Sequence, residues 1–331
     1  MTETPPELTA TPELLETALE QVRLDGAIFF RSELTESFAF VSSPNDVAGA
    51  LHPGAERLIL FHIVAEGSCW VATAEGERHR ANQGDVIVIP YGDRHVIAGA
   101  GPAEPVSVLS MLDPPPWTEL PVLRLGGGGD RTDLVCGYLH SDHPLFDPAM
   151  RAFPPAFVVR LPGGAAVEWV QASIAFALGT ATPETARGPA ATRLPELVLI
   201  EVLRAHLADA PAAGGGWVAA MHDPVLAPAL ALMHREPERR WTVADVAAGA
   251  AVSRSVLDER FRDVLGLSPI RYLTGWRLHL AKDLLATTTL GVGTIARRVG
   301  YESEEAFSRA FKRANGSPPS QWRVERSGHR D

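Results

Sequence analysis

Two histidines stand where imidazoles could bind a metal ion or a small ligand. His62 lies within an apolar run at residues 58–64, and His95 follows the segment GDVIVIPYGDR. Imidazole is a common ligand of Zn²⁺ and Ni²⁺, but two imidazoles are fewer than the three protein ligands of a typical open zinc site. Two interpretations stay open, a divalent metal held by His62 and His95 or a hydrogen-bonded pair lining a ligand pocket. Trp70 is a further candidate for that pocket.

The two cysteines, Cys69 and Cys136, are too few for a disulfide scaffold, and a reducing compartment such as the cytoplasm fits best. Neither has an adjacent Lys, Arg or His that would lower its pKa. We interpret both as buried apolar side chains, with redox-sensing thiols as the alternative.

The C-terminal third repeats itself. The run VADVAAGAAV from Val243 matches VGTIARRVGY from Val292, and SRSVLDERFRDVLG from Ser253 matches SEEAFSRAFKRANG from Ser303. Each copy predicts a short helix, a tight turn at Ala251 or Gly300, and a longer helix, which is a helix-turn-helix motif. The second helix of such a motif enters the major groove of DNA.

The outward-facing side chains of the two predicted recognition helices are the candidate DNA contacts, with one arginine of the connecting helix added. They are Arg254, Ser255, Asp258, Glu259, Arg262, Arg277, Glu304, Glu305, Ser308, Arg309 and Lys312. Alternatives stay open for the acidic members. Glu259 could accept a hydrogen bond from cytosine or pair with Arg260 or Arg262, and Glu304 and Glu305 suit a helix N-terminus without DNA.

The string GYESEEAFSRAFKRANGSPPSQWR at residues 300–323 resembles the signature of the AraC/XylS regulators. Ser268-Pro269, Tyr272-Leu273 and Trp276-Arg277 resemble the connecting helix of that family. The resemblance covers about a third of the chain. It implies two recognition helices in successive major grooves on one face of DNA. The residue pattern without the resemblance would also allow a plain helical bundle that does not bind DNA.

The segment GDVIVIPYGDRH at residues 84–95 fits G-x5-P-x-G-x-x-H and resembles the second motif of cupin barrels. Residues 61–70 resemble the first motif of cupin sensor domains fused to AraC-type helices. Residues 135–139, followed by His143-Pro144-Leu145, also resemble that subgroup of sensor domains. Metal-binding cupins supply H-x-H, a Glu and a late His. Here Val64 takes the place of the second His and Glu66 falls too early, so the resemblance leaves the metal set incomplete.

The expected fold class is α+β, with a cupin-like β-barrel sensor and dimerisation domain at 1–208, a linker at 209–222 and an all-α double helix-turn-helix domain at 223–326. Short strand-like runs follow a predicted helix at 12–23. A helix at 194–207 is apolar nearly all round, so we expect one face on its own barrel and another in a homodimer, the alternative being that it only closes the barrel.

The charge is unevenly distributed. The chain totals −10, yet from Asp223 onward it holds 17 basic and 13 acidic residues. A basic C-terminal part favours nucleic acid, and no apolar stretch is long enough to span a membrane. We expect a cytoplasmic one-component regulator, not an enzyme. Its predicted partners are promoter DNA, a small-molecule or chemical effector, RNA polymerase if it activates, and a second copy. The alternative is a metal-dependent cupin enzyme that carries a DNA-binding domain.

Overall fold

The computed structural model describes residues 24–43, 57–113, 120–141, 143–146, 152–160, 189–209 and 216–327, and residues 22, 48, 55 and 172 singly. The chain divides into two compact units. The sheet unit comprises Val22–Ser141 and Phe153–Ala210, and the helical unit is built on Pro211–Asp331. Residues 143–146 and 152 group with the helical unit, although the predicted sensor domain included them. The predicted helix at 12–23 lies outside the described residues, apart from Val22.

Two sheets form the sheet unit. The first has six strands in the order β11-β6-β3-β10-β1-β9, and the second has five in the order β5-β4-β7-β2-β8. Neighbours pair antiparallel except β1 with β9 and β2 with β8. In chain order the strands are β1 Asp25–Thr35, β2 Ala39–Ser42, β3 Ile59–Glu66, β4 Ser68–Thr73, β5 Arg78–Asn82, β6 Asp85–Ile89, β7 His95–Ala98, β8 Val106–Ser107, β9 Val122–Leu125, β10 Arg131–His140 and β11 Phe157–Arg160.

The core of the sheet unit lies between the two sheets. Phe30 and Leu60 from the first sheet pack with Phe40, Val71 and Ile97 from the second, and all five are buried. Side chains alternate between the faces of a strand, so one face of each sheet supplies this core. The α+β prediction is confirmed, with the described strands arranged as a two-sheet sandwich.

Helix α1, Pro189–Asp209, covers the outer face of the six-stranded sheet and packs on β1, β10 and β11. Val198 and Val202 are 5 % and 0 % exposed. The side chain of His206 stacks on Phe157 of β11 with ring centroids 4.0 Å apart. Only Leu197, at 48 % exposure, is a large apolar side chain on the opposite face among the described residues of this helix.

The helical unit contains eight helices within 216–327. They are α2 Trp217–His222, α3 Leu226–Arg235, α4 Val243–Gly249, α5 Arg254–Leu265, α6 Pro269–Thr287, α7 Val292–Arg298, α8 Glu304–Asn315 and α9 Pro319–Ser327. The predicted linker at 209–222 falls partly on residues 210–215, which lie outside the described residues. Of its other residues, Asp209 ends α1 and residues 217–222 form α2, whose Trp217 is buried and donates from Nε1 to the Tyr272 hydroxyl at 3.0 Å.

A cluster of aromatic rings lies at the middle of α6. His234 stacks on Trp276 with ring centroids 3.9 Å apart, and its Nε2 lies 2.7 Å from the Tyr272 hydroxyl. The ring of His143 lies 4.7 Å from that of His279 and 6.2 Å from that of Trp276. Burial lowers the pKa values of His143 and His234, so both imidazoles are neutral at neutral pH.

No helix among the described residues is long and apolar enough to cross a membrane.

Candidate DNA-binding surface and the paired histidines

The first helix-turn-helix motif consists of α4 and α5. Thr242 begins α4 with a capping box, accepting a hydrogen bond from the Asp245 amide while the Asp245 carboxylate accepts from the Thr242 amide. Ala251 takes the turn with φ of +56°, and the Ser253 hydroxyl accepts from the Val256 amide at 3.3 Å to begin α5. Buried Leu257 and Phe261, four positions apart on one face of the helix, then hold α5 against the core.

The second motif consists of α7 and α8 and repeats this construction. Gly300 takes the turn with φ of +85°, and the Ser303 hydroxyl accepts from the Ala306 amide at 3.1 Å. Phe307 and Phe311 are fully buried against α6, α7 and α9. The two motifs share one connecting helix, α6, so both recognition helices are fixed to a single scaffold.

Most of the predicted DNA contacts lie on the surface of these recognition helices. The exposed ones are Arg254, Ser255, Glu259, Arg262, Glu304, Glu305, Arg309 and Lys312, while Asp258 and Ser308 are partly buried. Because the buried side chains of α5 and α8 face the core, this opposite face is the one that DNA could reach. DNA contact by these side chains stays a prediction.

The sequence left open whether Glu259 pairs with Arg260 or Arg262. Arg262 pairs with Asp258 at 2.7 Å, and Arg260 pairs with the buried Asp223 at 2.6 Å. Within the described part of the chain, neither arginine is paired with Glu259. The Glu259 side chain is exposed, and its contact with a base edge stays a prediction.

Arg277 is partly buried, unlike most of the other predicted contacts, and its contact with DNA stays a prediction. Its guanidinium is partly buried and donates to the backbone carbonyls of Pro237 and Arg239, each at 2.7 Å. The connecting helix was expected to present this charge to DNA, but two of its donors are used within the helical unit.

His62 and His95 lie on different sheets and face each other across the sandwich interior. The cupin-like motif positions His95: β6 follows Gly84, the chain turns at Gly92 with φ of +65°, and His95 begins β7. His62 lies on β3 beside Cys136 of β10. The two imidazole Nε2 atoms are 3.0 Å apart, and both side chains are 2 % exposed.

The hydrogen-bond partners fix the protonation of this pair. His95 Nδ1 lies 2.9 Å from the Asp93 carbonyl, which only accepts, so that nitrogen carries a proton. In neutral His95, Nε2 then accepts from His62 Nε2, and His62 Nδ1 accepts from the Cys136 thiol at 2.8 Å. A continuous chain of donors runs from Cys136 through His62 to His95.

Burial supports this neutral arrangement. It lowers the pKa of His95 to about 4 and that of His62 well below its ordinary value, and the neighbouring imidazole lowers His62 further. It raises the pKa of Cys69 to about 12 and that of Cys136 well above its ordinary value. Both cysteines are buried thiols, as predicted, yet the hydrogen bond from Cys136 to His62 was not foreseen.

Trp70 does not line this site. On β4 it pairs with Ala98 of β7, whereas the inward-facing Val71 and Thr73 pair with Ile97 and His95. Successive side chains of a strand point to opposite faces, so Trp70 lies on the outer face. Its ring lies 5.1 Å from the Arg78 guanidinium there. The prediction that Trp70 shares a pocket with His62 and His95 is wrong for this reason.

The donor set does not fit a conventional metal centre. Cys136 contacts Nδ1 of His62, on the opposite side of the ring from the Nε2 atom that faces His95. Among the described residues, no group of three or more His, Cys, Asp or Glu side chains is arranged to hold a metal ion. Two facing imidazoles are fewer than the three protein ligands of an open site.

Comparison with known families matches two parts of the chain. A cupin family model matches residues 13–208, and a helix-turn-helix domain model matches residues 246–325. A putative AraC-like transcription regulator of Streptomyces antibioticus is 34 % identical over 277 residues, which are 81 % of this chain and 88 % of that relative. The chain belongs to the AraC-like transcription regulators with an N-terminal cupin domain.

Two further proteins are similar over part of this AraC-like regulator. A putative AraC-like transcription regulator of Streptomyces lividans is 50 % identical over 133 residues, spanning 40 % of this chain and 44 % of that relative. The DNA-binding domain of AdpA, solved in complex with a target DNA, is 32 % identical and covers 33 % of this chain and 96 % of that domain, with a TM-score of 0.32.

Sequence reasoning about this AraC-like regulator missed Asp223. The side chain is 4 % exposed, accepts from the Val225 and Leu226 amides at 2.9 Å, and binds Arg260 of the first recognition helix. Asp is a preferred capping residue at a helix start, and the place of Asp223 three residues before α3 could have identified it. Its ion pair with Arg260 crosses 37 positions and had no local pattern.

Proposed function

We propose that this chain is a one-component transcription regulator that binds promoter DNA sequence-specifically through both helix-turn-helix motifs. The observation that supports it is the exposure of eight predicted contact side chains on two recognition helices carried by one connecting helix. Major-groove base edges are distinguishable by such side chains, and Arg309 and Lys312 supply donors for bases and phosphates.

We further propose that a small molecule or chemical signal controls this binding through the interior of the sheet unit. The support is the buried chain of Cys136, His62 and His95, whose hydrogen bonds depend on three neutral groups. A ligand that donates to or accepts from these atoms would break the chain and move β3, β7 or β10. An effector acts only through a different affinity for two states of the protein.

The proposed regulator acts as a homodimer on DNA and contacts RNA polymerase where it activates. Val198 and Val202 lie on the buried side of α1. The opposite side of α1, which carries Leu197, is the candidate dimer surface.

The experiment for DNA binding uses the full chain. Duplexes are selected by the purified protein from a random library, and the affinity for the selected duplex is compared with that for a scrambled duplex at several salt concentrations. We expect a specificity ratio of at least about 10³ at physiological salt. A ratio near one would overturn the proposal.

The experiment for the sheet unit measures thermal stability with a metabolite panel and with Zn²⁺ or Ni²⁺ alone. A ligand that binds only the folded chain raises the melting temperature. The matched control is His62→Leu/His95→Leu, which removes the ring nitrogen atoms with apolar side chains of similar volume. A ligand that stabilises the wild type and the variant equally binds elsewhere and contradicts the assignment.

A further inference from the structure

The two helix-turn-helix motifs meet at one side chain in the middle of α6. Arg277 Nε donates to the Pro237 carbonyl and Nη2 donates to the Arg239 carbonyl, each at 2.7 Å. Both carbonyls belong to the turn at residues 236–241, which leads directly into α4. Arg277 therefore ties the connecting helix to the start of the first motif.

The same guanidinium contacts the turn of the second motif. A Cβ added at Gly300 would lie 2.7 Å from Arg277 Nη2 and 2.8 Å from the Pro237 carbonyl oxygen. Only a residue without Cβ allows this approach, and φ of +85° at Gly300 favours glycine as well. Connecting helix, first-motif turn and second-motif turn thus converge on Arg277. We call Arg277, residues 236–241 and Gly300 the inter-motif contact.

Neighbouring interactions hold the first-motif turn in place. Trp241 Nε1 donates to the Glu236 carbonyl at 2.9 Å, and the Arg239 guanidinium lies 4.0 Å from the centre of the Trp241 ring. Arg240 pairs with Glu302 of the second motif at 3.0 Å, but both side chains are largely exposed. Exposed ion pairs contribute little, so the partly buried Arg277 is the dominant connection.

Arginine is chemically suited to this place. Its donors form a planar fork that can bind two carbonyls at once, whereas a lysine ammonium is a compact charge on a flexible stem. Burial lowers the pKa of Arg277, yet an arginine in a protein keeps its charge. Its hydrogen bonds are therefore charge-assisted and stronger than those between neutral groups.

We infer that Arg277 is a positioning residue that fixes the distance and angle between the two recognition helices, so that this regulator requires one spacing between its two half-sites on DNA. The spacing requirement on DNA rests on the proposed function. The fixed geometry of the two recognition helices concerns the helical unit alone. Recognition helices that enter successive major grooves lie about one helical turn, or about 10 base pairs, apart, and a fixed contact between the motifs would hold them there.

The first test needs no DNA. Spin labels are attached at Glu259→Cys and Glu305→Cys in the full chain, where the native Cys69 and Cys136 are buried, and the labelled protein is mixed with excess unlabelled chain so that the label pairs measured lie within one chain. We expect one narrow distance between the labels, and a broadened or shifted distribution in Arg277→Ala and Arg277→Lys. Arg271→Ala removes an exposed arginine from the same helix and is the matched control. A narrow, unshifted distance in a folded Arg277→Lys variant would overturn the inference.

The second test compares three duplexes. The first is the duplex selected by the wild-type chain, and the second has about 5 base pairs, or half a helical turn, inserted between its half-sites. The third carries one half-site. We expect the insertion to weaken wild-type binding at least about tenfold, because two linked modules lose their joint binding when the geometry fails. Arg277→Lys should bind the uninserted duplex more weakly and lose most of the insertion penalty, with single-half-site binding unchanged.

The outcomes separate the two proposals. If the wild type selects no duplex, the proposed function fails while the label distances still test the contact. If Arg277→Lys weakens binding to the single-half-site duplex and to the uninserted duplex equally, and keeps the wild-type label distance, Arg277 is a phosphate contact. That result overturns the inference.

Discussion

His62 and His95 face each other across the interior of the sheet unit with 3.0 Å between their Nε2 atoms. Burial lowers the pKa of His95 from 6.5 to about 4. Between these pH values the unfolded chain binds a proton that the folded chain does not, so stability falls as pH falls. We expect this residue to remove up to about 3 kcal/mol from the free energy of unfolding between neutral pH and pH 4.

The measurement is urea unfolding of the sheet unit at several pH values. His95→Gln keeps a hydrogen-bonding side chain without titration and should flatten the pH dependence. His79→Gln changes a partly exposed histidine and serves as the control. Equal pH dependence in wild type and His95→Gln would contradict the neutral pair.

Cys136 is predicted to stabilise the sheet unit through its hydrogen bond to His62. Cys136→Ala leaves buried His62 Nδ1 without its donor and should cost about 1–3 kcal/mol in the free energy of unfolding. Cys136→Ser retains a donor in the same place and should cost less. Chemical denaturation of the three proteins checks this, and an alanine variant as stable as the serine variant would show that the thiol only fills space.

Arg309 is predicted to contact a base edge through the second recognition helix. Arg309→Ala should cost about 1–3 kcal/mol in specific binding and relax preference at one base pair, whereas Lys312→Ala should weaken all sequences alike and reduce the salt slope by about one unit. Titrations of selected and scrambled duplexes at several salt concentrations separate these effects. Unchanged specific binding by Arg309→Ala would mean that α8 docks differently.

Helix α1 is predicted to tolerate charge on one face only. Val202→Glu buries a charge against the sheet and should destabilise the fold by more than about 3 kcal/mol, while Leu197→Glu should leave stability nearly unchanged. If the homodimer uses the exposed face, Leu197→Glu should halve the mass found by sedimentation. A folded Leu197→Glu variant of wild-type mass would place the dimer surface on another element.

Local patterns predicted the helical unit closely. Ser253 and Ser303 begin recognition helices, Ala251 and Gly300 take left-handed turns, and the paired Phe and Leu side chains are buried, because each of these properties depends on residues a few positions apart. The cupin-like motif similarly placed His95 at the start of a strand.

What could not be predicted depends on partners distant in sequence. Strand β5, Arg78–Asn82, is a charged edge strand with little apolar alternation, and β9, Val122–Leu125, is a short edge strand. The outward direction of Trp70 follows from its register with Ala98, which no local pattern gives. The engagement of Arg277 by carbonyls 38 and 40 positions away was likewise invisible in the sequence.

The two turns of the repeat also differ in how freely they could change during evolution. Ala251 carries a Cβ at φ of +56° on an exposed turn, so the first motif accepts a small side chain there. Gly300 lies against Arg277 and the Pro237 carbonyl, where a methyl group has no room. Two copies that look equivalent are therefore not exchangeable: grafting the first motif's turn into the second would force the guanidinium out of its place, whereas the reverse exchange would only relieve strain.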